Sequence, residues 1–287
     1  MSAELDPTGA LDTPGRELLA DLVAIPSPSG EEAEAATRLA AFFESHDREA
    51  WIDGIGNVHA PGDDSVLLTS HVDTVPGEIP VRIEDGDPDG EPGAEGPVLW
   101  GRGSVDATGS LAAMAVAAVE TGTSFVAVVG EETDSRGARH LIETRDAPQS
   151  VINGEPSGWD GLTLGYRGIV GGEYSVATPV GHGARPEANA IDHATAWWDR
   201  VRGAVEEANK EAHPGGFDTI TATAESVDGG LTDDGAAVSA SLTAEFRVPP
   251  SETPDSVRGS VADCLDAGEI AWDGSIPPLV AAHRGTL

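Results

Sequence analysis

Short apolar runs that each stop at a histidine or a carboxylate constrain this chain more than any other feature. Ser65-Val66-Leu67-Leu68-Thr69-Ser70 runs into His71-Val72-Asp73-Thr74-Val75-Pro76-Gly77. Phe125-Val126-Ala127-Val128-Val129 runs into Gly130-Glu131-Glu132, and Val151-Ile152-Asn153 into Gly154-Glu155-Pro156. Runs of this kind, closed by glycine and proline, read as buried strands. A helix-forming, alanine-rich stretch from Leu111 to Val119 lies between the first two. The expectation is an α/β domain, and in open α/β sheets ligands bind beyond the carboxyl ends of the strands.

The residues at those ends are chemically related. Side chains two apart on a strand share a face, which lets the His71 imidazole and the Asp73 carboxylate meet. A carboxylate behind a metal-binding histidine fixes its tautomer and raises its basicity. Asp106 ends the loop Gly101-Arg102-Gly103-Ser104-Val105-Asp106, just before the alanine-rich helix. It either caps that helix or faces the same site. Glu131 and Glu132 are adjacent and point different ways, so one can bind a metal while the other moves protons. Any one of these acids alone reads equally well as a solvated loop residue. Their repetition with glycine turns is what points to a site.

The order His-x-Asp, Gly-Arg-Gly-Ser-x-Asp, Glu-Glu and Gly-Glu-Pro resembles the co-catalytic zinc amidohydrolases, the family of acetylornithine deacetylase, succinyl-diaminopimelate desuccinylase and glutamate carboxypeptidase. Ile25-Pro26-Ser27-Pro28-Ser29-Gly30-Glu31-Glu32 and Gly154-Glu155-Pro156-Ser157-Gly158 look most like one branch. That branch releases lysine or ornithine from an acidic amino-group carrier protein in lysine and arginine biosynthesis. The resemblance implies a metallopeptidase-type mixed central sheet flanked by helices, with an inserted small α+β, ferredoxin-like lid domain. It implies two zinc ions, with cobalt as an alternative. His71 and Glu155 would bind one metal, Asp106 would bridge, Glu132 would bind the second, Asp73 would orient His71, and Glu131 would be the general base and acid. Deacylation of N-acetylornithine or N-succinyl-diaminopimelate is the neighbouring activity.

The same resemblance calls for a last histidine ligand in an Asp-His-Thr-like context, which this sequence does not contain; His283 has other neighbours. The expectation is a chain shortened relative to that family, with an incomplete second metal site and weak or absent hydrolysis. An inactive homologue is the corresponding alternative. The implied domains are a catalytic part over 1–166, a lid over 167–272, and the start of a returning catalytic segment over 273–287. Within the lid, Gly165–Val176 alternates as a strand, and a helical stretch follows through Trp197, Trp198 and Val205. Strand patterns return at Thr219–Thr223 and Ala237–Val248. A helix near Ser251–Val261 follows, with Ser251 or Thr253 as cap and Pro254 in its first turn. By the resemblance, His182 would reach a partner subunit's active site and stabilise the oxyanion, through a lid that carries a homodimer contact. On residue chemistry alone His182 is equally a turn histidine. Arg185 and Arg247 are candidates for gripping a substrate carboxylate, or surface ion-pair partners.

Composition excludes several classes. Fifty acids against 16 bases give a formal charge of −34 over 287 residues. Lys210 is the only lysine. Such acidity opposes nucleic acid and anionic membrane. It reads as adaptation to high salt, where screening shortens repulsion to a few ångströms. One cysteine, Cys264, rules out an internal disulfide framework. The first residues show no basic-then-apolar leader and no apolar run is long enough to span a bilayer, so the expected location is cytoplasmic.

Overall fold

The computed structural model describes residues 13–86, 96–158, 161–182, 187–213 and 216–281. The chain divides into two units, Met1–Gly161 and Leu162–Leu287. The first contains α1 (Pro14–Ala24), α2 (Ala33–Glu44), β1 (Trp51–Ile52), β2 (Val58–Ala60), β3 (Asp63–His71), β4 (Arg82–Glu84), β5 (Val98–Trp100), α3 (Thr108–Thr121), β6 (Thr123–Val128), α4 (Arg136–Thr144) and β7 (Ser150–Asn153). Its main sheet has the order β1-β2-β6-β3-β7. β3 runs parallel to both β6 and β7, while β1 and β2 are antiparallel to their neighbours. The sheet is therefore mixed, and its three parallel strands are the three apolar runs of the sequence.

Both faces of β3 and β6 are covered, which is why their runs are continuous rather than alternating; β7, at the sheet edge, is exposed along its length. On one face Leu68 and Phe125 join Leu18, Leu39, Phe43 and Leu111 from α1, α2 and α3. Phe43 and Phe125 lie 4.9 Å apart between ring centroids. Full burial of each such side chain contributes about 1.5–3 kcal/mol. On the other face Leu67, Val126 and Val128 pack against Ala138 and Leu141 of α4. Arg48 donates to the carbonyls of Ala118, Pro61 and Thr123. It thereby satisfies the end of α3, where Gly122, at φ 72°, turns the chain into β6.

The second unit contains β8 (Gly165–Tyr166), β9 (Gly168–Pro179), α5 (Ala190–Ala208), β10 (Thr221–Leu231), β11 (Ala237–Val248), α6 (Pro254–Ala262), β12 (Glu269–Ile276) and β13 (Leu279–Val280). Its four-stranded sheet has the order β10-β11-β9-β12 and is antiparallel throughout. That is the ferredoxin-like βαββαβ arrangement. Trp197, Val201, Val257 and Val261 from the two helices pack on Tyr174, Leu242 and Phe246. Thr253 caps α6 by accepting from Ser256 N at 3.1 Å, and Pro254 is at the first position.

In the four-stranded sheet, β10 and β12 depart most from the sequence reading. β10 extends to Leu231, well past the expected Thr223, through exposed and mostly polar residues. An edge strand packs little and so leaves little apolar signal. β12 gives no clear strand pattern, because it is broken by a register shift between Trp272 and Ser275, and Ser275 and Ile276, expected in the returning catalytic segment, pair with β9. Among the described residues no helix is long and apolar enough to cross a membrane.

Candidate metal centre

The three parallel strands of the first unit end together. His71, the last residue of β3, stands opposite Val128, the last of β6. Thr69 stands opposite Asn153, the last of β7. The chain leaves β6 through Gly130 into Glu131 and Glu132, and leaves β7 through Gly154 into Glu155. Asp106 approaches from the entrance of α3. It does not cap that helix: the N-cap is Ala107, with no side-chain cap bond.

His71 is buried, and its ring is fixed at both nitrogens. Nδ1 lies 2.9 Å from the main-chain carbonyl of Asp73 and 3.6 Å from the Asp73 carboxylate. The carbonyl is therefore the direct partner, and Nδ1–H donates to it. Nε2 then faces Asp106 Oδ1 at 3.1 Å and Glu155 Oε2 at 3.9 Å. His71, Asp106 and Glu132 each offer a ligand atom within 4.8 Å of the others. One nitrogen and several carboxylate oxygens converging on one point is a donor set suited to a divalent transition metal. Asn153 Nδ2 donates to Glu155 Oε1 at 3.0 Å and holds that carboxylate in place.

Asp73 is fully buried and acts mainly on the Glu131–Glu132 loop. Its Oδ1 accepts from Glu131 N at 3.0 Å, and its Oδ2 accepts from Glu132 N at 3.0 Å and from Ser29 Oγ at 2.6 Å. Burial works to raise the Asp73 carboxyl, but the His71 ring, the Ser29 hydroxyl and those two N–H groups hold it well below the usual carboxylate range. Burial likewise works to lower His71. The Asp73 partner and the charges of Glu155 and Glu131 overcome it and push the imidazole up to about 9. Glu131, Glu132 and Glu155 are all raised, first by burial and then by one another and Asp106, against the pull of His71. Mutual repulsion among acids that a single imidazolium cannot neutralise fits a site that takes up cations. A cavity of about 500 Å³ opens beside the cluster, lined by His71, Glu131 and Glu155 and by apolar Leu67, Leu141 and Val151.

The structure thus brings His71, Asp73, Asp106, Glu131, Glu132 and Glu155 together. His182 is exposed in the second unit, beyond β9. Arg247 pairs with Glu245 Oε1 at 2.9 Å, as an ion-pair partner on the open face of its sheet. Arg185 and His283 lie outside the described residues. Sequence reasoning gave no role to Ser29, Glu32, Asn57 or Asn153. Asn57 is buried, donates to Gly137 O and accepts from Val129 N, each at 3.1 Å, and so joins the end of β6 to the start of α4. The only trace of Ser29 and Glu32 in the sequence was the loop motif ahead of α2.

Comparisons with known proteins agree with this geometry. The model of peptidase family M20/M25/M40 matches residues 67–240. A LysW-lysine hydrolase of Deinococcus radiodurans is 38% identical over 254 residues, covering 83% of this chain and 66% of the relative. A LysW-lysine/LysW-ornithine hydrolase of Sulfurisphaera tokodaii is 36% identical over 163 residues, covering 54% of this chain and 43% of the relative. The chain thus spans between about two fifths and two thirds of the length of these curated relatives. Among solved structures, a tripeptidase from Staphylococcus aureus superposes with a TM-score of 0.66 at 20% identity, over 93% of this chain and 77% of that one. A dinuclear metal binding peptidase of the M20 family from Bacillus subtilis superposes with a TM-score of 0.55 at 15% identity, over 95% and 76%. These two likenesses concern the fold. The matched region carries β3 with His71, the loop with Asp106, the Glu131–Glu132 pair and Glu155, and on that footing the chain belongs to peptidase family M20/M25/M40.

Proposed function

We propose that this chain hydrolyses an amide bond and releases lysine or ornithine from an acidic amino-group carrier protein of the LysW type, a step of lysine and arginine biosynthesis. The observation that carries the reading is the convergence of His71, Asp106, Glu132 and Glu155 around one point, with Glu131 held beside them by Asp73. The activities of the Deinococcus and Sulfurisphaera relatives support the choice of substrate.

In this reading His71, Glu155 and Asp106 would hold one divalent metal, and Asp106 with Glu132 would contribute to a second, incomplete site; zinc suits the donors and cobalt is the alternative. Two such ions would supply an acidified water and polarise the scissile carbonyl. Glu131 takes the proton of the attacking water on its carboxylate and returns it to the leaving amine nitrogen. Its raised pKa brings it closer to the working pH, as a general base and acid requires. Asp73 is a positioning residue for His71 and for the Glu131 loop. The second unit is the lid. Its exposed edge strand β10, with Val227 and Leu231 both about two-thirds exposed, is the contact for a homodimer in which His182 serves the partner subunit's site. The charge of −34 marks a cytoplasmic protein adapted to high salt, which would also screen repulsion from an acidic carrier.

The test is release of free lysine or ornithine, followed by mass spectrometry in multimolar KCl with added Zn2+ or Co2+. Carrier conjugate is compared with N-acetylornithine. The proposal expects the conjugate to be the faster substrate, and Glu131→Gln to abolish turnover while metal content stays the same. Preference for N-acetylornithine would replace the carrier with a small-molecule substrate. A metal-loaded chain that cleaves neither would replace the hydrolase reading with the inactive-homologue alternative.

A further inference from the structure

The loop that carries Glu131 and Glu132 is gripped from below by a pair that no metal site requires. Glu32 is 5% exposed, and its carboxylate accepts from Arg136 Nη2 at 2.5 Å. Glu32 stands at the N-cap of α2, yet its side chain makes no capping bond; it is spent on Arg136. Arg136 opens α4, immediately after the loop. Its side chain lies flat over Gly130: a Cβ there would come within 2.2 Å of Nη1 and 3.0 Å of Cγ. Gly130, at φ 71°, is the residue on which the loop folds back, since its carbonyl accepts from Asp134 N at 3.2 Å and Ser135 N at 2.6 Å. The guanidinium therefore forms the floor of the turn from which Glu131 and Glu132 project.

The segment that supplies Glu32 also holds the loop from its other side. Ser29 Oγ donates to Asp73, which accepts the N–H groups of Glu131 and Glu132. Ser27 is tied to the strand end as well, donating through Oγ to Val72 O at 3.0 Å and accepting from Thr74 N at 2.9 Å. Residues 27–32 thus form a strap with two grips. One works through Asp73 on the loop's N–H groups, and the other through Arg136 on its base. Removing one partner of an ion pair with a carboxylate as buried as Glu32 is costly, so the pair locks the position of the strap as well as that of the loop.

We infer that Glu32 and Arg136 are positioning residues that hold Glu132 in reach of His71 and Asp106, and Glu131 beside them. The inference rests on the metal-centre reading of the site, and its test reads metal binding rather than turnover. Co2+ alone is titrated into the whole chain in high salt and followed by visible absorption, with unfolding monitored in parallel. Arg136→Met is expected to weaken Co2+ binding at least tenfold, in the range typical for loss of a group that orients ligands. Arg136→Lys, which keeps a cation for Glu32, should recover part of that loss. Electrostatics alone predicts the opposite sign, because removing a cation near a dication site should tighten binding. Arg145→Met supplies that control, since Arg145 pairs with Asp64 at 2.5 Å and its loss changes the charge equally. Glu32→Gln with Arg136→Met should be no worse than the poorer single variant, as for two parts of one device.

A folded Arg136→Met chain that binds Co2+ as tightly as the unmodified protein would overturn the inference. If Arg136→Met does not fold, Glu32→Gln and Arg136→Lys decide it, and unchanged Co2+ affinity in both would overturn it. Failure of the unmodified chain to bind Co2+ at all would instead remove the metal-centre reading on which it stands.

Discussion

Metal binding at this centre should expel a proton from His71, and the pH dependence follows from the site. In the metal-free protein the imidazole is held at about 9 by Asp73, Glu155 and Glu131 against its burial. At pH 7 such a group is about 99% protonated, while a metal ligand must be neutral. Deprotonating it costs about 2.7 kcal/mol at that pH, two units at about 1.36 kcal/mol each. Apparent affinity should therefore rise about tenfold per pH unit from pH 7 towards 9 and level off above it. Glu131, Glu132 and Glu155 are raised as well, so protonated carboxylates add to the steepness on the acid side. High salt weakens the charge contributions of Glu155 and Glu131 and should move the plateau to lower pH. The assay is calorimetric titration of Zn2+ or Co2+ in buffers of different ionisation enthalpy, which yields protons released per metal. Release of about one proton at pH 7, vanishing above pH 10, is the expected result. Release near zero at pH 7 would show that His71 is already neutral, and the reasoning from the surrounding carboxylates would fail.

The same groups set the stability of the metal-free chain. His71 is raised on folding, so its contribution, up to about 3 kcal/mol, is complete below about pH 6.5 and disappears as pH rises through about 9; denaturant midpoints across that window should fall. Asp73 is depressed on folding, so its contribution is present above about pH 4 and is lost on acidification. Asp73→Asn leaves one acceptor oxygen for three donors and should cost on the order of 3 kcal/mol in denaturant melts, together with roughly 10- to 100-fold in Co2+ affinity; a variant with wild-type values in both would refute the hub assigned to Asp73. Ser135 sits in the left-handed region at φ 53°, so Ser135→Val should destabilise by roughly 1–2 kcal/mol while Ser135→Gly does not; equal melting points for the two would refute that account.

Apart from Asp106, which a glycine-rich loop marks, the site residues legible in the sequence share one property: each is a polar residue just past an apolar run. His71, Glu131 and Glu132 stand out because β3 and β6 before them are buried on both faces and need continuous apolar runs; Glu155 follows the exposed edge strand β7 and stands out by its Gly-Glu-Pro turn. Where burial is one-sided or slight, that contrast disappears. β10 is an exposed edge strand, and its extension through Ser226, Asp228 and Gly230 reads as loop. β12 carries an irregularity that breaks its alternation. The ferredoxin-like order nonetheless followed from the family resemblance, since the residues that pack β9 and β11 on α5 and α6 kept their period.

The supporting shell was illegible for a different reason. Ser29 meets Asp73 across 44 residues of sequence, and Arg136 meets Glu32 across 104. No local period records such a contact; it exists only once the sheet has brought the segment before α2 to the end of β6. The direction of His71 shows the same limit at short range. Spacing placed the Asp73 carboxylate beside the imidazole, but Nδ1 bonds the main-chain carbonyl, because the chain has left the strand and turned by that point. The carboxylate freed by that turn then reaches the N–H groups of Glu131 and Glu132. Asp73 therefore couples two ligand-bearing loops rather than serving one histidine. A substitution there should accordingly disturb Glu132 as much as His71, which makes it a sharper probe of the centre than replacement of either ligand alone.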